Sequence, residues 1–384
     1  MREVRGLNRH GVGLKVFVLR RGRGGVEPED RAWFSAVTVV PRIWSPAVLA
    51  ANLYWIGRDT RRYWRGFADL VTLSHRPRVM ALRAPILFFR AAWIARKIQR
   101  TGGCHYVHGH FALAQTEVAM AVSALIDRPF GFTAHARDIY ATPSALAEKI
   151  RAARLVVTCT GYNLTQLRTL CPDVPPERVA LVYHGLDLAR VTADRRDSGP
   201  PLLVAAGRLV EKKGFDVLVK ACAILRDRGV VFQARLAGDG PGQRDLARLI
   251  RREKLDDRVM LCGWLAPGPM ADLLQQAAVF VMPSRVTPRG DRDGIPNVIL
   301  EAMAVGCPVV ATAVSAIPEA VDAGVTGTLV APDDPVAMAD ALQALLADEP
   351  ARRRLGAAGR ARAEQMFDLP ASSARLAGLF AAIT

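Results

Sequence analysis

The chain has 384 residues, of which 51% are hydrophobic and 23% are charged, which is enough for two domains with sizeable cores. This composition argues against a disordered protein. The net charge of +16 is uneven, because residues 1–190 hold 28 Lys and Arg against 13 Asp and Glu, while residues 191–384 hold 24 against 23.

The basic half indicates one face that meets an anionic surface. Nucleic acid is not the predicted partner, because the chain has no RNP-like, zinc-finger or helix-turn-helix signature. Its six cysteines form no C-x-x-C pair, which is typical of buried thiols in a reducing compartment. No signal-peptide pattern opens the sequence, and no uninterrupted apolar run reaches about 18 residues. We therefore expect a cytoplasmic protein, with peripheral contact at the inner face of the plasma membrane left open.

The chain begins with a predicted helix. Residues 1–11 have helical character that ends at Gly11, and residues 14–19 are the first run typical of a strand. An α/β domain normally opens with a strand, followed by a loop and its first helix. We therefore expect that the first strand and loop of the domain are missing from this sequence. A different edge of the sheet is the alternative.

Residues 44–100 combine helical apolar spacing with aromatic and basic side chains. The aromatic residues are Trp44, Tyr54, Trp55, Tyr63, Trp64, Phe67, Phe88, Phe89 and Trp93. The basic residues interleaved with them are Arg58, Arg61, Arg62, Arg65, Arg90, Arg96, Lys97 and Arg100. Basic amphipathic helices with aromatic residues suit an anionic membrane interface. The alternative is that these aromatic residues form a core.

Two predicted strands of the first half carry or precede histidines. Residues 105–110 form a strand with His108 and His110, which are potential metal ligands on one strand face but lack a third ligand nearby. Residues 130–134 form the next strand, and His135 follows it on a polar loop. Because ligands bind at the carboxyl ends of strands in α/β sheets, His135 is a candidate site residue. A purely structural loop histidine is the alternative.

The polar segment 192–200 predicts a linker, after which a second α/β domain begins. Residues 202–206 form its first strand, and the following loop leads into a helix. Arg208 and Lys213 lie on this loop, where two cations can clamp two phosphates. Ordinary surface charge is the alternative. The neighbouring Lys212 is predicted to be solvated.

Glycines and an aromatic residue follow the strands of the second domain. Residues 234–237 form a strand that ends at Gly238, which, like Gly207 after the first strand, permits close approach of the backbone to a ligand. Residues 259–265 form the next strand and include Trp264 near its end. These positions are candidates for the same ligand site.

The segment 291–312 has the richest pattern. An acidic loop with glycine and proline leads into a helix with Pro296 at its first position, where the missing N–H costs nothing. Gly306 ends this helix, and residues 309–312 form a short buried strand. The N–H groups of residues 297–299 lack partners within the helix and predict an anion site at its positive end.

Two acids flank this predicted anion site. Glu301 lies one turn inside the helix, where a carboxylate suits a neutral diol such as a ribose. Asp293 lies eight residues earlier on the loop and can face a group on the far side of a phosphate. An ordinary amphipathic helix after a Gly/Pro loop is the alternative.

Segment 291–312 resembles the donor motif of family 4 of the retaining glycosyltransferases, in which seven residues separate two acids. The first acid of the family is usually Glu, and Asp293 takes its place here. The form Asp-Gly-Ile-Pro-Asn resembles the subgroup that builds colanic-acid-type exopolysaccharides. The resemblance covers essentially the whole chain and implies an α/β protein with the GT-B fold, in which two Rossmann-like domains face a cleft.

The domain limits implied by this fold follow the pattern of predicted elements. Residues 1–191 would bind the acceptor, residues 192–200 would link the domains, and residues 201–366 would bind the nucleotide sugar. The second domain would close with two helices within residues 336–365. Residues 367–384 would form a last helix that crosses back to the first domain.

The resemblance also implies roles for the site residues. Arg208 and Lys213 match the diphosphate motif of the family, Asp293 would position sugar hydroxyls, and Glu301 would bind the ribose. His135 lies in a segment similar to Thr-x-His-x-x-Asp, whose histidine reaches the transferred sugar. The remaining donor-binding candidates are Gly207, Gly238, Trp264, Gly294, Ile295, Pro296, Asn297, Val298 and Ile299.

The implied reaction uses a UDP- or GDP-sugar as donor and a glycan or lipid-linked acceptor, with no cofactor and no metal ion. No carboxylate is placed as an obvious nucleophile, which favours front-face transfer with retention over double displacement. Two alternatives remain open. One is a sugar-nucleotide epimerase with the same fold, and the other is a nucleotide-sugar-binding protein whose catalysis is impaired by the missing start.

Overall fold

The computed structural model describes residues 2–20, 37–73, 82–191 and 199–383. The chain divides into two compact units, the first formed by Met1–Val182 with Ser372–Thr384 and the second by Tyr183–Ala371. The boundary after Val182 lies before the predicted domain limit at residue 191. Of the predicted linker, residues 192–198 lie outside the described residues.

The described part of the first unit contains a parallel sheet and helices. Its helices are α1 (Arg2–Arg9), α2 (Pro46–Arg58), α3 (Thr60–Val71), α4 (Ala84–Arg100), α5 (Ala114–Ile126), α6 (Leu146–Ala152) and α7 (Gly161–Leu170). Its strands are β1 (Phe17–Val18), β2 (Thr38–Val39), β3 (Val107–His110), β4 (Phe130–Ala134), β5 (Leu155–Thr158) and β6 (Val179–Leu181). Strands β3 to β6 are parallel neighbours in chain order, and β1 pairs separately with β2.

Helices α2 to α5 bury part of the aromatic set of residues 44–100. Trp55, Tyr63 and Phe88 are almost completely buried. The indole Nε1 of Trp55 donates to the carbonyl oxygen of Ala92 at 3.0 Å, which satisfies its only polar atom. For these residues the alternative of an ordinary core is therefore correct.

Other large apolar side chains on these helices or just before them lie on the surface. Trp44 is 88% exposed, and Leu49, Leu53 and Trp64 are at least half exposed. Within the described ranges, no helix combines the length and the apolar character that crossing a membrane requires.

The second unit contains a larger parallel sheet. Its helices are α8 (Phe215–Asp227), α9 (Gln243–Arg252), α10 (Pro267–Gln276), α11 (Asn297–Ala304), α12 (Ile317–Ala320), α13 (Pro335–Ala347) and α14 (Glu349–Met366). Its strands are β7 (Leu202–Ala206), β8 (Gln233–Ala237), β9 (Val259–Gly263), β10 (Val279–Met282), β11 (Val309–Thr312) and β12 (Thr328–Val330). The strand order is β12-β11-β10-β7-β8-β9.

Every residue of β7, β10 and β11 is buried, because one apolar cluster covers each face of the sheet. Strands covered on both faces are uninterrupted apolar runs in the sequence, which explains why these strands could be predicted. The strand order reverses between β7 and β10. Loops that leave a parallel sheet at such a point diverge and open a crevice where ligands bind.

The last helix, α15 (Leu369–Ala381), begins in the second unit and continues into the first. Leu376 and Phe380 pack there with Leu7 of α1 and with Leu155 and Val157 of β5. Parallel sheets and helices in both units confirm the predicted α/β class.

Candidate functional site

Glycines form the backbone edge of the crevice at the carboxyl ends of β7 and β8. Gly207 and Gly238 have φ angles of 150° and 137°. A Cβ atom at Gly238 would lie 1.9 Å from the carbonyl oxygen of Gly207, so any other residue would displace the backbone. A Cβ atom at Gly207 would lie 3.1 Å from Cε of Lys213. The lysine side chain therefore crosses directly over this glycine.

The two predicted cations of the loop after β7 have different surroundings. Lys213 ends a short 3₁₀ turn, Glu211–Lys213, and is 9% exposed. Arg208 is exposed, and its side chain has no hydrogen bond or ion pair with any described residue. Gly214 follows with φ 63°, and a Cβ atom there would lie 1.8 Å from the carbonyl oxygen of Pro283, the first residue after β10. Only glycine therefore lets the loop after β7 pass this close to the loop after β10.

Asp293 lies in the loop after β10 and is held by three side chains. Its Oδ2 lies 2.7 Å from Nζ of Lys213 and accepts a hydrogen bond from Oγ of Ser284 at 3.2 Å. Its Oδ1 lies 3.5 Å from Nζ of Lys212, which also donates to Oδ1 of Asp291 at 3.0 Å. The prediction of a solvated Lys212 is therefore wrong, because the acidic loop covers its side chain. Neither this lysine nor Ser284 was predicted as a site residue, although Ser284 follows a buried strand.

Helix α11 begins one residue later than predicted, because Pro296 is its N-cap. The extended backbone of Pro296 directs its carbonyl oxygen toward the N–H of Ile299, which donates to it at 2.9 Å. The prediction of a free N–H at Ile299 is therefore wrong. The N–H groups of Asn297 and Val298 have no hydrogen-bond partner within the described part of the chain. These two N–H groups remain available to donate to an anion, and the anion site stays a prediction.

The remaining candidates of the second domain follow neighbouring strands. Gly294 and Ile295 lie between Asp293 and α11, and Glu301 is partly buried on α11. Trp264 directly follows β9 and is 66% exposed, so its indole ring can stack on a planar group. Because all strands of this sheet are parallel, the loops after β7 to β10 lie at one edge.

His135 directly follows β4 in the first unit. Its backbone N–H donates to Oδ2 of Asp138 at 3.2 Å, and the same oxygen accepts the N–H of Ala112 at 2.9 Å. Its ring centroid lies 4.6 Å from that of Phe111, and its Nδ1 lies 3.8 Å from Sγ of Cys159. Burial raises the pKa of Asp138, although the two backbone hydrogen bonds act in the opposite direction. Asp138 thus fixes the loop of His135, and its position three residues after the histidine is the sequence signal for this role.

His108 and His110, the alternative metal ligands, are engaged elsewhere. Nε2 of His108 lies 2.8 Å from Oγ1 of Thr133, and its Nδ1 lies 3.0 Å from the hydroxyl of Tyr106. Burial, assisted by the charge of His110, lowers the pKa of His108 to about 3. Nε2 of His110 lies 3.0 Å from Oε1 of Glu3. Since both ring nitrogens of His108 are occupied, the two histidines do not offer a ligand pair.

The geometry of the second unit is suited to a ligand that combines phosphate groups, hydroxyl groups and a planar base. Lys213, Arg208 and the first N–H groups of α11 can hold phosphate oxygens. Asp293 and Glu301 can accept hydrogen bonds from hydroxyl groups. The exposed indole of Trp264 can cover a base at the far end.

Solved structures of glycosyltransferases share this architecture. HepE of Anabaena, in complex with UDP and glucose, has a TM-score of 0.63 and 22% identity over 76% of this chain and 81% of that chain. Sucrose-phosphate synthase of Thermosynechococcus elongatus has a TM-score of 0.66 and 24% identity over 81% of both chains. At these identities the likeness concerns the fold alone. The protein is therefore an α/β protein with the GT-B fold.

Sequence comparisons define the family. The family model for Glycosyltransferase Family 4 matches residues 2–190, and the model for Glycosyl transferases group 1 matches residues 200–348. A D-inositol 3-phosphate glycosyltransferase of Corynebacterium aurimucosum is 31% identical over 308 residues, which cover 72% of this chain and 71% of that protein. The chain belongs to the family 4 glycosyltransferases.

Two further relatives are named for exopolysaccharide synthesis. WcaL of Salmonella typhimurium, which carries the name of a colanic acid biosynthesis glycosyltransferase, is 41% identical over 43% of this chain and 41% of its own length. AmsK of Erwinia amylovora, an amylovoran biosynthesis glycosyltransferase, is 32% identical over 54% of this chain and 51% of its own length. The match thus spans about half the length of these relatives or less.

Proposed function

We propose that the protein transfers a sugar from a UDP- or GDP-sugar to a glycan or lipid-linked acceptor during exopolysaccharide synthesis. The observation that carries this proposal is the meeting of Lys213 and Asp293 at the strand reversal of the second unit. A cation for phosphate and a carboxylate for hydroxyls then lie side by side, as a sugar linked to a diphosphate requires. The names of WcaL and AmsK support the choice of pathway, and the UDP held by HepE supports the class of donor.

In the proposed reaction, the bond between the sugar C1 and the diphosphate oxygen breaks, and a bond from C1 to an acceptor hydroxyl forms. The hydroxyl proton passes to the leaving diphosphate, and the configuration at C1 is retained. Lys213, Arg208 and the N–H groups at the start of α11 stabilise the charge that develops on the leaving group. These groups take the part that a metal ion takes in other transferases. Asp293 orients the sugar hydroxyls, and Glu301 orients the ribose.

Peripheral contact of the first unit with an acidic membrane is the second part of the proposal. Leu49 and Leu53 lie one turn apart on α2 with exposed side chains, and Trp44 is exposed just before this helix. Exposed Arg61 and Arg65 follow on α3. Exposed apolar side chains followed along the chain by exposed guanidinium groups suit the headgroup region of an anionic bilayer, where a lipid-linked acceptor would be reached.

A donor screen tests the enzymatic part of the proposal. UDP, GDP and their sugars are added to the full chain, and the unfolding temperature is measured for each. We expect one nucleoside diphosphate and its nucleotide sugar to raise the unfolding temperature. We also expect the sugar of that donor to be released only by hydrolysis or by transfer to an acceptor. Conversion of the donor into an isomeric nucleotide sugar would identify an epimerase, and binding without turnover would identify a binding protein.

A further inference from the structure

The neighbouring lysines 212 and 213 reach the same carboxylate from different positions. Nζ of Lys213 has one ion-pair partner among the described residues, Oδ2 of Asp293 at 2.7 Å. Nζ of Lys212 contacts three oxygen atoms of a single loop segment: Oδ1 of Asp291 at 3.0 Å, the carbonyl oxygen of Arg292 at 3.4 Å and Oδ1 of Asp293 at 3.5 Å. Lys212 is therefore fastened to the acidic loop, whereas Lys213 is held at one point only.

A bound diphosphate changes the surroundings of Asp293. The side chain of Asp293 is only 12% exposed, and both of its carboxylate oxygens lie against neighbouring cations, Oδ2 against Lys213 and Oδ1 against Lys212. A diphosphate carries more negative charge than a carboxylate and draws the ammonium group of Lys213 toward itself. Lys212 stays in place, because Asp291 and the Arg292 carbonyl hold it independently of the ligand.

We propose that Lys212 is the positioning residue for the sugar end of the donor, while Lys213 serves the diphosphate. This inference rests on the proposed function, in which Asp293 orients the sugar hydroxyls. Lys212 holds the Asp293 carboxylate in place for the sugar when Lys213 engages phosphate. Of the two adjacent lysines, Lys213 therefore contacts the diphosphate of the donor, and Lys212 affects the recognition of its sugar.

The test compares the affinities for a nucleoside diphosphate and for its sugar. Titration calorimetry of the full chain measures the affinity for two ligand pairs, UDP with UDP-glucose and GDP with GDP-mannose. The affinities for the pair that binds are then measured in the variants. Lys212→Met is expected to weaken binding of the nucleotide sugar about tenfold while changing that of the free diphosphate less than about threefold. Lys213→Met is expected to weaken binding of both the free diphosphate and the nucleotide sugar. Loss of fold stability would lower both affinities together, so the ratio between them isolates the positioning role.

Two further variants complete the design. Lys212→Arg keeps a cation that can span two carboxylates, so it is expected to restore most of the affinity for the nucleotide sugar. Lys220→Met removes the same charge from α8, where Lys220 lies half-exposed and 3.8 Å from Asp216, and is expected to change neither affinity. The inference alone is overturned if the wild-type chain binds nucleotide and Lys212→Met weakens binding of both ligands equally, or of neither. A wild-type chain that binds no nucleotide overturns the proposed function and this inference with it.

Discussion

The two units carry their positive charge in different ways. In the first unit much of it lies on exposed arginines such as Arg61 and Arg65, and the charge of residues 1–190 is far from balanced. At the strand reversal of the second unit, Lys212 and Lys213 are matched by carboxylates at contact distance. Exposed charges act over about a Debye length and fade with salt, whereas partly buried pairs are screened much less. The first arrangement suits a broad anionic surface, and the second suits one small ligand of defined shape.

A buried ion pair in the first unit gives the largest expected effect. Nζ of Lys149 lies 3.1 Å from Oε1 of Glu117, and both side chains are almost fully buried. Lys149→Met leaves a buried carboxylate without its cation, so it should lower the free energy of unfolding by about 3–5 kcal/mol. Chemical denaturation measures this loss. The matched control is Arg353→Gln, which removes an exposed partner of Glu349 and should cost less than about 0.5 kcal/mol. Equal losses would remove the distinction between buried and exposed pairs.

Lys213 gives the next largest effect. Lys213→Ala should weaken binding of the preferred nucleoside diphosphate by about 1.5–3 kcal/mol, because a charge-assisted contact to phosphate is lost. Calorimetric titration with UDP and GDP measures the change, with Lys220→Ala as the control for a lost charge on α8. An unchanged affinity in Lys213→Ala would refute the role of this lysine in the diphosphate clamp.

The sequence predicted the second unit better than the first for a physical reason. Its strands β7, β10 and β11 are buried on both faces, and Arg208, Lys213 and Asp293 lie in the loops that follow β7 and β10. What the sequence could not show was pairing between the loops of neighbouring strands, such as Lys212 with Asp291, because these residues are 79 positions apart. The hydrogen bond of the Ile299 N–H also escaped prediction, since it depends on one backbone angle.

In the first unit the helices of residues 44–100 were predictable, but the exposure of their aromatic residues was not. Trp55 and Trp64 occur in the same basic and aromatic pattern, yet one is buried and the other is half-exposed. The difference arises from how α2 and α3 pack against α4, which no local pattern contains. Membrane contact therefore needs its own experiment.

Binding to acidic vesicles tests the role of the exposed surface of the first unit. The full chain should sediment with them at low salt, at about 1 kcal/mol for each basic residue near the surface, and should be released as salt is raised. Leu53→Ser should weaken this binding, because an exposed apolar side chain on α2 no longer enters the interface. Val231→Ser, at a position of similar exposure in the second unit, should leave it unchanged. Absence of sedimentation at low salt would contradict the membrane proposal.

The smallest expected effect concerns the contact between His110 and Glu3. Burial and the terminal amino group lower the pKa of His110. The hydrogen bond and charge of Glu3, with a further contribution from Asp138, outweigh them, so the pKa of His110 is raised. The pKa of His110 in the folded state thus exceeds its unfolded value of about 6.5. The contact therefore stabilises the fold fully below about pH 6.5, and this stabilisation is lost as the pH rises through the folded-state pKa. His110→Gln should therefore destabilise the protein more at about pH 5.5 than at about pH 8.5. Equal destabilisation at both values would show that the contact is not ionic.

The most direct test of the donor site compares nucleotides that differ by one phosphate. Calorimetric titration of the wild-type chain with UDP and UMP, and with GDP and GMP, shows whether the cations of the second unit hold a diphosphate. For at least one base, we expect the diphosphate to bind about tenfold tighter than the monophosphate, because Lys213, Arg208 and the start of α11 engage the second phosphate. Equal affinities for monophosphate and diphosphate with both bases, or no binding of any nucleotide, would contradict it.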